Sequence, residues 1–181
     1  MLEDNSNNNP HDAITLRELR EDDNVNISLG SSEFVPLKSF LKNNAKQYHQ
    51  KDLAKTYVLS HHDNDKKVLG YVTLVCSQIS ISDNIPEDID KYPYDDFPSV
   101  KIVRLAVDKG ISRNGWGSEL INWSIAVSKN KIMQYVGCRF LIVDAKPSAI
   151  RFYEKNGFTL LDTEENKKSE HPMLYIDLHK L

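Results

Sequence analysis

Strand-like and helix-like segments alternate in the second half of the chain. Residues 100–107 are rich in β-branched side chains, and a helix-compatible stretch then runs to Gly137, which suits a helix C-terminus. Residues 138–145 form a second, almost continuously apolar strand. Strands that alternate with helices in this way predict an α/β sheet.

The alternation continues towards the end of the chain. Pro147 fits the first turn of another helix, and Gly157 is suited to end it. Residues 158–161 and 173–178 are predicted as the last two strands.

The first half of the chain predicts one strand, one helix and a hairpin. Residues 14–19 are predicted as a strand, and apolar residues three and four positions apart predict a helix from Leu37 to Tyr48. Residues 56–60 and 68–79 flank a polar segment, as the two strands of a hairpin do. The predicted order of elements is therefore β-α-β-β-β-α-β-α-β-β.

Two polar segments are predicted to lie outside the sheet. Residues 1–12 are asparagine-rich and are predicted to be a disordered tail, because they cannot bury enough surface to offset the entropy of ordering. Residues 82–98 contain three prolines and a cluster of acids and are predicted as an exposed loop. Residues 13–181 are predicted to form a single domain.

The composition disfavours several classes of protein. No run approaches the ~20 apolar residues of a membrane span, and residues 1–12 lack a signal-peptide pattern, so we expect a cytoplasmic protein without membrane attachment. A net charge of −3 gives no global attraction to nucleic acid, so such binding requires a local basic patch. Cys76 and Cys138 lie in apolar runs and are predicted as buried free thiols. No metal-binding motif is present, and no bound metal is expected.

The segment S-R-N-G-W-G-S (112–118) lies between a predicted strand and a predicted helix. Its two glycines let the backbone approach a ligand closely, and the free N–H groups of the first helical turn carry the positive end of the helix dipole. This combination favours binding of a pyrophosphate, although a plain structural turn stays open for the segment alone. The pattern matches neither a Walker loop nor a Rossmann dinucleotide turn.

Three other segments accompany this turn: R-L-A-V-D (104–108) before it, and F-L-I-V-D-A (140–145) and F-Y-E-K-N-G-F (152–158) after it. Together with the turn they resemble the GNAT superfamily of N-acetyltransferases over roughly residues 53–178. The resemblance implies the GNAT fold, an α/β structure with a mixed, mostly antiparallel central sheet of six to seven strands flanked by helices. It also implies an N-acetyltransferase domain and acetyl-CoA as co-substrate.

The resemblance assigns roles to individual residues. Backbone groups of the strand segment Leu105, Ala106 and Val107 would meet the pantetheine arm and supply the oxyanion donor, and Tyr153 would face the departing sulfur. The residues implied to wrap the pyrophosphate are Arg113, Asn114, Gly115, Trp116, Gly117 and Ser118. The chain departs from the family pattern at Ser112, where Gln or Arg is customary, and at Lys146, where Asn is common.

Acetyl transfer from a thioester needs a neutral amine and a proton for the leaving thiolate. Tyr153 is the candidate general acid, with a core aromatic as the alternative interpretation. Residues 100–107 contain no acid to act as a base, which leaves Asp108 and Asp144 at the strand ends. Because an α-amino group titrates at about 7.7 to 8.0 and a lysine at about 10.4, a site without a base favours an α-amine.

Within the superfamily the chain is similar to a subgroup that includes toxins that acetylate the amino acid on charged tRNA and are held in check by a DNA-binding antitoxin. Lys38, Lys42 and Lys46 are spaced four apart and predict a basic stripe on one helix, suited to RNA phosphates; a solvated helix face is the alternative.

Three hypotheses for the function stay open. They are an acetyltransferase of aminoacyl-tRNA, an acetyltransferase of a small-molecule or protein amine, and a silent acyl-CoA-binding domain. The sequence also leaves open an antitoxin partner and a homodimer.

Overall fold

A computed structural model describes residues 13–80, 89 and 93–181. Residues 1–12, predicted as the tail, and residues 82–88 and 90–92 of the predicted loop lie outside the described residues. Within these described residues the strands are β1 (Ile14–Glu18), β2 (Lys55–His61), β3 (Asn64–Ser80), β4 (Asp96–Val107), β5 (Phe140–Asp144), β6 (Thr159–Leu160) and β7 (Met173–Asp177). The α-helices are α1 (Val35–Asn43), α2 (Ala45–Gln50), α3 (Trp116–Val127), α4 (Ile150–Lys155) and α5 (Glu164–Lys167).

The strands form one sheet in the order β1-β2-β3-β4-β5-β7-β6. The pairs β1–β2, β5–β7 and β6–β7 are antiparallel, whereas β4 and β5 are parallel, with Ser99 opposite Phe140 and Ile102 opposite Val143. The predicted α/β class and the mixed, mostly antiparallel sheet of the GNAT fold are therefore confirmed.

The chain divides into two compact units. The first contains the described residues up to Val72 together with Ala106–Trp116, and the second contains Thr73–Leu105 and Gly117–Leu181. The strands β3 and β4 and the helix α3 contribute residues to both.

The core of the first unit surrounds Tyr71, whose side chain is completely buried. Leu41, Val58 and Val68 are equally buried in the same cluster, and Phe40 packs against it. The Tyr71 hydroxyl donates a hydrogen bond to the backbone oxygen of Leu37 over 2.7 Å. This bond ties α1 to the core and satisfies a polar group that would be costly to bury alone.

The predicted helix from Leu37 to Tyr48 is broken at Asn44. The backbone of Asn44 (φ −124°, ψ −33°) leaves the helical region, and α2 begins at Ala45. Asparagine is a poor helix former because its side chain competes for backbone hydrogen bonds. The prediction of one continuous helix was therefore wrong.

A buried ion pair organises the loop that follows β1. The Arg17 guanidinium contacts both carboxylate oxygens of Asp23, over 2.6 and 2.9 Å, and the Arg20 N–H donates to the same carboxylate over 2.7 Å. Asp23 is only 4% exposed, so these partners compensate the desolvation of its charge.

The core of the second unit centres on β5. Four consecutive side chains, from Phe140 to Val143, are buried, which means that both faces of this strand are covered. Phe97 packs edge-on against Phe140 with ring centroids 5.8 Å apart. Phe97 lies in β4, which therefore starts earlier than the predicted residue 100.

Cys138 is a buried free thiol as predicted, but Cys76 is exposed, because the last residues of β3 alternate between buried and exposed positions.

Among the residues that the structure describes, no helix is both long enough and apolar enough to cross a membrane.

Removal of the Tyr71 hydroxyl tests the bond to α1. We expect Tyr71→Phe to lower the free energy of unfolding by about 1 kcal/mol, the net contribution of a typical buried hydrogen bond. Urea denaturation measures the change. Tyr135→Phe is the matched control, since Tyr135 is 84% exposed and its change should stay within about 0.5 kcal/mol. Equal effects of the two substitutions would contradict the role of the bond.

Candidate functional site

The turn between β4 and α3 has an unusual backbone. Arg113 (φ 67°) and Gly115 (φ 84°) adopt the left-handed conformation, whereas Asn114 between them does not. Among the described residues, the backbone N–H groups of these three residues donate to no protein acceptor. An alternation of left- and right-handed residues points successive N–H groups towards one concavity, which suits an anion.

The two glycines of the turn are required for different reasons. A side chain on Gly115 would meet no atom within 4 Å, so this glycine is required for its positive φ. A Cβ atom on Gly117 would lie 3.0 Å from Cζ and 3.3 Å from Cε2 of Phe152. Gly117 therefore allows the ring of Phe152 to pack directly against the first turn of α3.

The strand that precedes the turn extends past its pairing with β5. The register between the two strands ends at Ile102 opposite Val143, and the segment Leu105–Val107 lies beyond it. Ala106 is buried, whereas Leu105 and Val107 are half-buried. Trp116 is buried, and the remaining predicted turn residues are exposed or half-buried: Arg113, Asn114, Gly115, Gly117 and Ser118.

Tyr153 lies in α4 and is 7% exposed. Its ring makes edge contacts with Phe152 and Phe158, at centroid distances of 5.2 and 5.4 Å. Within the described part of the chain its hydroxyl has no hydrogen-bond partner. Burial raises the pKa of Tyr153 to about 12. The hydroxyl therefore keeps its proton near neutral pH and can donate it, but it cannot act as a base there.

The two candidate bases are both engaged in structural contacts. Asp108 accepts hydrogen bonds from the backbone N–H groups of Ser28 and Gly110, over 2.7 and 2.8 Å. Asp144 forms an ion pair with Lys101 over 2.5 Å. Both carboxylates therefore already have structural partners, Asp108 on both oxygens and Asp144 on one.

The three lysines of the predicted stripe are in different environments. Lys38 and Lys42 are exposed on α1, but Lys46 follows the break and belongs to α2. The Lys46 ammonium donates to the backbone oxygens of Glu21 and Asp23, over 2.7 and 2.9 Å. The prediction of one stripe on a single helix was wrong, because Lys46 anchors the loop after β1 instead.

Three potential metal ligands lie close together at the β2–β3 turn. The ligand atoms of His61, His62 and Asp63 lie within 4.8 Å of one another, and the His62 Nδ1 atom is 2.6 Å from an Asp63 oxygen. The Asp63 N–H also donates to Nδ1 of His61 over 3.2 Å. Contacts with Asp63 therefore already engage the Nδ1 atoms of both histidines.

Sequence reasoning missed two contacts at this site. The packing of Phe152 on Gly117 joins positions 35 residues apart, and the bond between Asp108 and Ser28 joins positions 80 apart. The only local indications of these contacts in the sequence were a glycine in the first turn of a helix, Gly117, and an acid directly after a strand, Asp108.

The contact between Gly117 and Phe152 predicts that the effect of Gly117→Ala on the free energy of unfolding changes sign when the Phe152 ring is removed. We expect Gly117→Ala to lower the free energy of unfolding by about 1 kcal/mol, because overpacking costs about 1–3 kcal/mol and helix propensity returns about 1 kcal/mol. In a Phe152→Leu background, the ring atoms that clash are gone, and the same substitution should stabilise the protein. Denaturant unfolding of the four proteins measures both effects.

Gly115→Ala is the control for this cycle. It should destabilise the protein by about 1 kcal/mol in both backgrounds, since its cost arises from a positive φ. A destabilising effect of Gly117→Ala that persists in the Phe152→Leu background would contradict the packing explanation.

Comparison with known structures finds similar folds. A tyrosine-to-phenylalanine mutant of KacT is 26% identical, with a TM-score of 0.80, over 93% of this chain and 96% of that chain. AtaT complexed with acetyl-methionyl-tRNAfMet is 26% identical, with a TM-score of 0.79, over 92% and 96%. AtaTR bound with AcCoA is 26% identical, with a TM-score of 0.76, over 93% and 96%.

The family model of the acetyltransferase (GNAT) domain matches residues 53–160, which include β2 to β6, the turn and Tyr153. This range covers more than half of the chain. The chain therefore belongs to the GNAT acetyltransferase family and is an N-acetyltransferase.

Proposed function

We propose that the chain transfers an acetyl group from acetyl-CoA to a primary amine by direct attack, with Tyr153 as the general acid. The observation that carries the proposal is the position of Tyr153 in a member of this family: its side chain is largely buried, at 7% exposure, and its hydroxyl has no hydrogen-bond partner among the described residues. The amine nitrogen bonds to the thioester carbonyl carbon, and the carbon–sulfur bond breaks. The amine releases a proton to solvent, and the thiolate takes one from Tyr153, which solvent then restores.

The environment of Tyr153 supports the role of an acid. Burial disfavours the phenolate and raises the pKa of Tyr153 to about 12. A thiolate that leaves in an apolar environment is disfavoured for the same reason and becomes a stronger base. The two pKa values therefore rise together, and a hydroxyl within hydrogen-bond reach can protonate the sulfur.

The turn between β4 and α3 supports acetyl-CoA as the co-substrate. The free N–H groups of Arg113, Asn114 and Gly115 suit the pyrophosphate, and the Arg113 side chain adds a positive charge. The backbone of Leu105–Val107, beyond the pairing with β5, is suited to hydrogen bonds with the pantetheine arm and the oxyanion. The similar AtaTR structure contains AcCoA.

For the acceptor, we favour the α-amine of an aminoacyl-tRNA. Asp108 and Asp144 are both engaged in structural contacts, and an α-amine needs less help from a base than a lysine does. The similar AtaT structure contains acetyl-methionyl-tRNAfMet. A small-molecule or protein amine is the alternative acceptor. We also propose an antitoxin as a partner, on the resemblance to the toxin subgroup, and keep a homodimer as a hypothesis.

Ion pairing in the first unit separates its lysines into two groups. Lys55 pairs with Asp52 over 2.5 Å, and Lys66 pairs with Asp22 over 2.9 Å. Lys38 and Lys42 are exposed and form no ion pair with a described residue. One turn apart on α1, these two lysines are the members of the predicted stripe that suit RNA phosphates.

The role of Tyr153 is tested by removal of its hydroxyl. We expect Tyr153→Phe to bind acetyl-CoA as the wild type does and to lower kcat by about 10²–10⁴-fold, the contribution typical of general acid catalysis. Calorimetry measures binding, and thiol release measures turnover. Gly115→Glu is the opposite control and should lose acetyl-CoA binding, through bulk, charge and a forbidden φ. Wild-type turnover in Tyr153→Phe would contradict the assignment.

The pH dependence of kcat/KM gives an independent readout in the same experiment. The rate should rise as the amine loses its proton and should show no fall from Tyr153 below about pH 10, because its pKa is raised to about 12. A midpoint of about pH 8 indicates an α-amine and one of about pH 10 indicates a lysine. The pH profile of Tyr153→Phe should have the same midpoint and a lower maximum value of kcat/KM.

The tRNA hypothesis is tested by Lys38→Gln/Lys42→Gln. Loss of two phosphate contacts should flatten the dependence of log affinity for charged tRNA on log salt by about 1.5 units. Acetylation of the charged tRNA should fall, while acetyl-CoA affinity should be unchanged. Filter binding over a salt series measures the slope.

Lys55→Gln/Lys66→Gln is the matched control because it removes the same formal charge from lysines that acids already neutralise. Its salt slope should equal that of the wild type. If both double variants and the wild type share one slope, or if no acetyl group reaches the aminoacyl end, a small-molecule or protein amine becomes the better hypothesis.

A further inference from the structure

The carboxylate of Asp108 connects two distant segments of the first unit. One oxygen accepts a hydrogen bond from the backbone N–H of Ser28 over 2.7 Å, and the other accepts from the backbone N–H of Gly110 over 2.8 Å. Both bonds involve a charged acceptor and are therefore stronger than neutral ones. The side chain thus joins the loop before α1 to the start of the turn.

The backbone reinforces this connection on both sides of Asp108. Its own N–H donates to the Leu69 oxygen over 2.7 Å, and the N–H of Lys109 donates to the Ser28 oxygen over 2.7 Å. The N–H groups of residues 108–110 are therefore all bonded. Those of residues 113–115, by contrast, have no acceptor among the described residues. The first residues of the turn are therefore held by hydrogen bonds, whereas the N–H groups of residues 113–115 are available to a ligand.

The loop that carries Ser28 is itself well anchored. Asn24 exchanges backbone hydrogen bonds with Lys66 and Val68, over 2.8 and 3.1 Å, and Ile27 is 2% exposed in the core. The backbone N–H of Ser28 is therefore held in a fixed position for its hydrogen bond to Asp108.

We propose that Asp108 is a positioning residue for the pyrophosphate site: its carboxylate holds the entry of the turn against the loop at Ser28, so that residues 113–115 adopt their binding conformation before the cofactor arrives. This inference rests on the proposed function of the turn. Preorganisation of this kind raises affinity because the ligand does not have to order the loop.

The positioning effect of Asp108 on CoA affinity and the electrostatic effect of its charge have opposite signs, so an experiment can separate them. An acid at the entry of an anion site opposes binding of a pyrophosphate, so removal of its charge alone should strengthen the binding of CoA. Loss of its hydrogen bonds should weaken that binding. The two effects have opposite signs in Asp108→Asn, which keeps the shape of the side chain but loses the charge and one of the two acceptors.

The test compares CoA with pantetheine, which lacks the pyrophosphate. We expect Asp108→Asn to raise the calorimetric Kd for CoA by about tenfold, which corresponds to about 1.4 kcal/mol, and to leave the Kd for pantetheine unchanged. Asp23→Asn is the matched control. Asp23 is also a carboxylate that accepts a backbone N–H, from Arg20, and its loss should lower the melting temperature without a change in CoA affinity.

Unchanged or tighter binding of CoA by Asp108→Asn would overturn the proposal. An equal loss of affinity for pantetheine would also overturn it, because the effect would then be a general loss of structure. If wild-type protein binds pantetheine as tightly as CoA, the pyrophosphate site itself is wrong, and the role of Asp108 falls with it.

Discussion

The parallel pairing of β4 with β5 determines where the candidate site lies in this fold. The two strands point the same way, so the chain must leave the carboxyl end of β4 and return to the start of β5 through α3. The connection therefore begins with a turn at a strand's carboxyl end, which is where α/β sheets place their ligand sites. Four consecutive β5 side chains are buried, so both faces of this strand are covered beside the connection.

The elements that local patterns determine could be predicted from the sequence. The alternation of strands and helices, the end of α4 before Gly157 and the hairpin of β2 and β3 all follow from short-range periodicity and turn residues. The break at Asn44 and the exposure of Cys76 were missed because the apolar residues around both positions continue a regular pattern. Other features depend on contacts between distant positions. The partners of the Lys46 ammonium, for example, lie 23 and 25 residues away, so the spacing of the lysines alone gave the wrong stripe.

The sequence singled out the residues of the candidate site as hypotheses, but it did not indicate the contacts that they make. Both glycines of the turn stand out in the sequence, yet one is required for its φ and the other for the ring of Phe152. Asp108 drew attention as a candidate base, whereas its carboxylate holds two backbone N–H groups. Tyr153 was assigned by family resemblance, and its burial supplies the physical reason why an acid is suited to that position.

The anchoring of α1 and α2 has a consequence for how such a protein can evolve. Both helices are held through backbone oxygens: the Tyr71 hydroxyl bonds to that of Leu37, and the Lys46 ammonium bonds to those of Glu21 and Asp23. A backbone oxygen is present whatever side chain its residue carries. The exposed positions of α1 can therefore change by mutation without loosening the helix. Divergence at those positions can change the exposed surface of α1 while the fold and the turn between β4 and α3 stay the same.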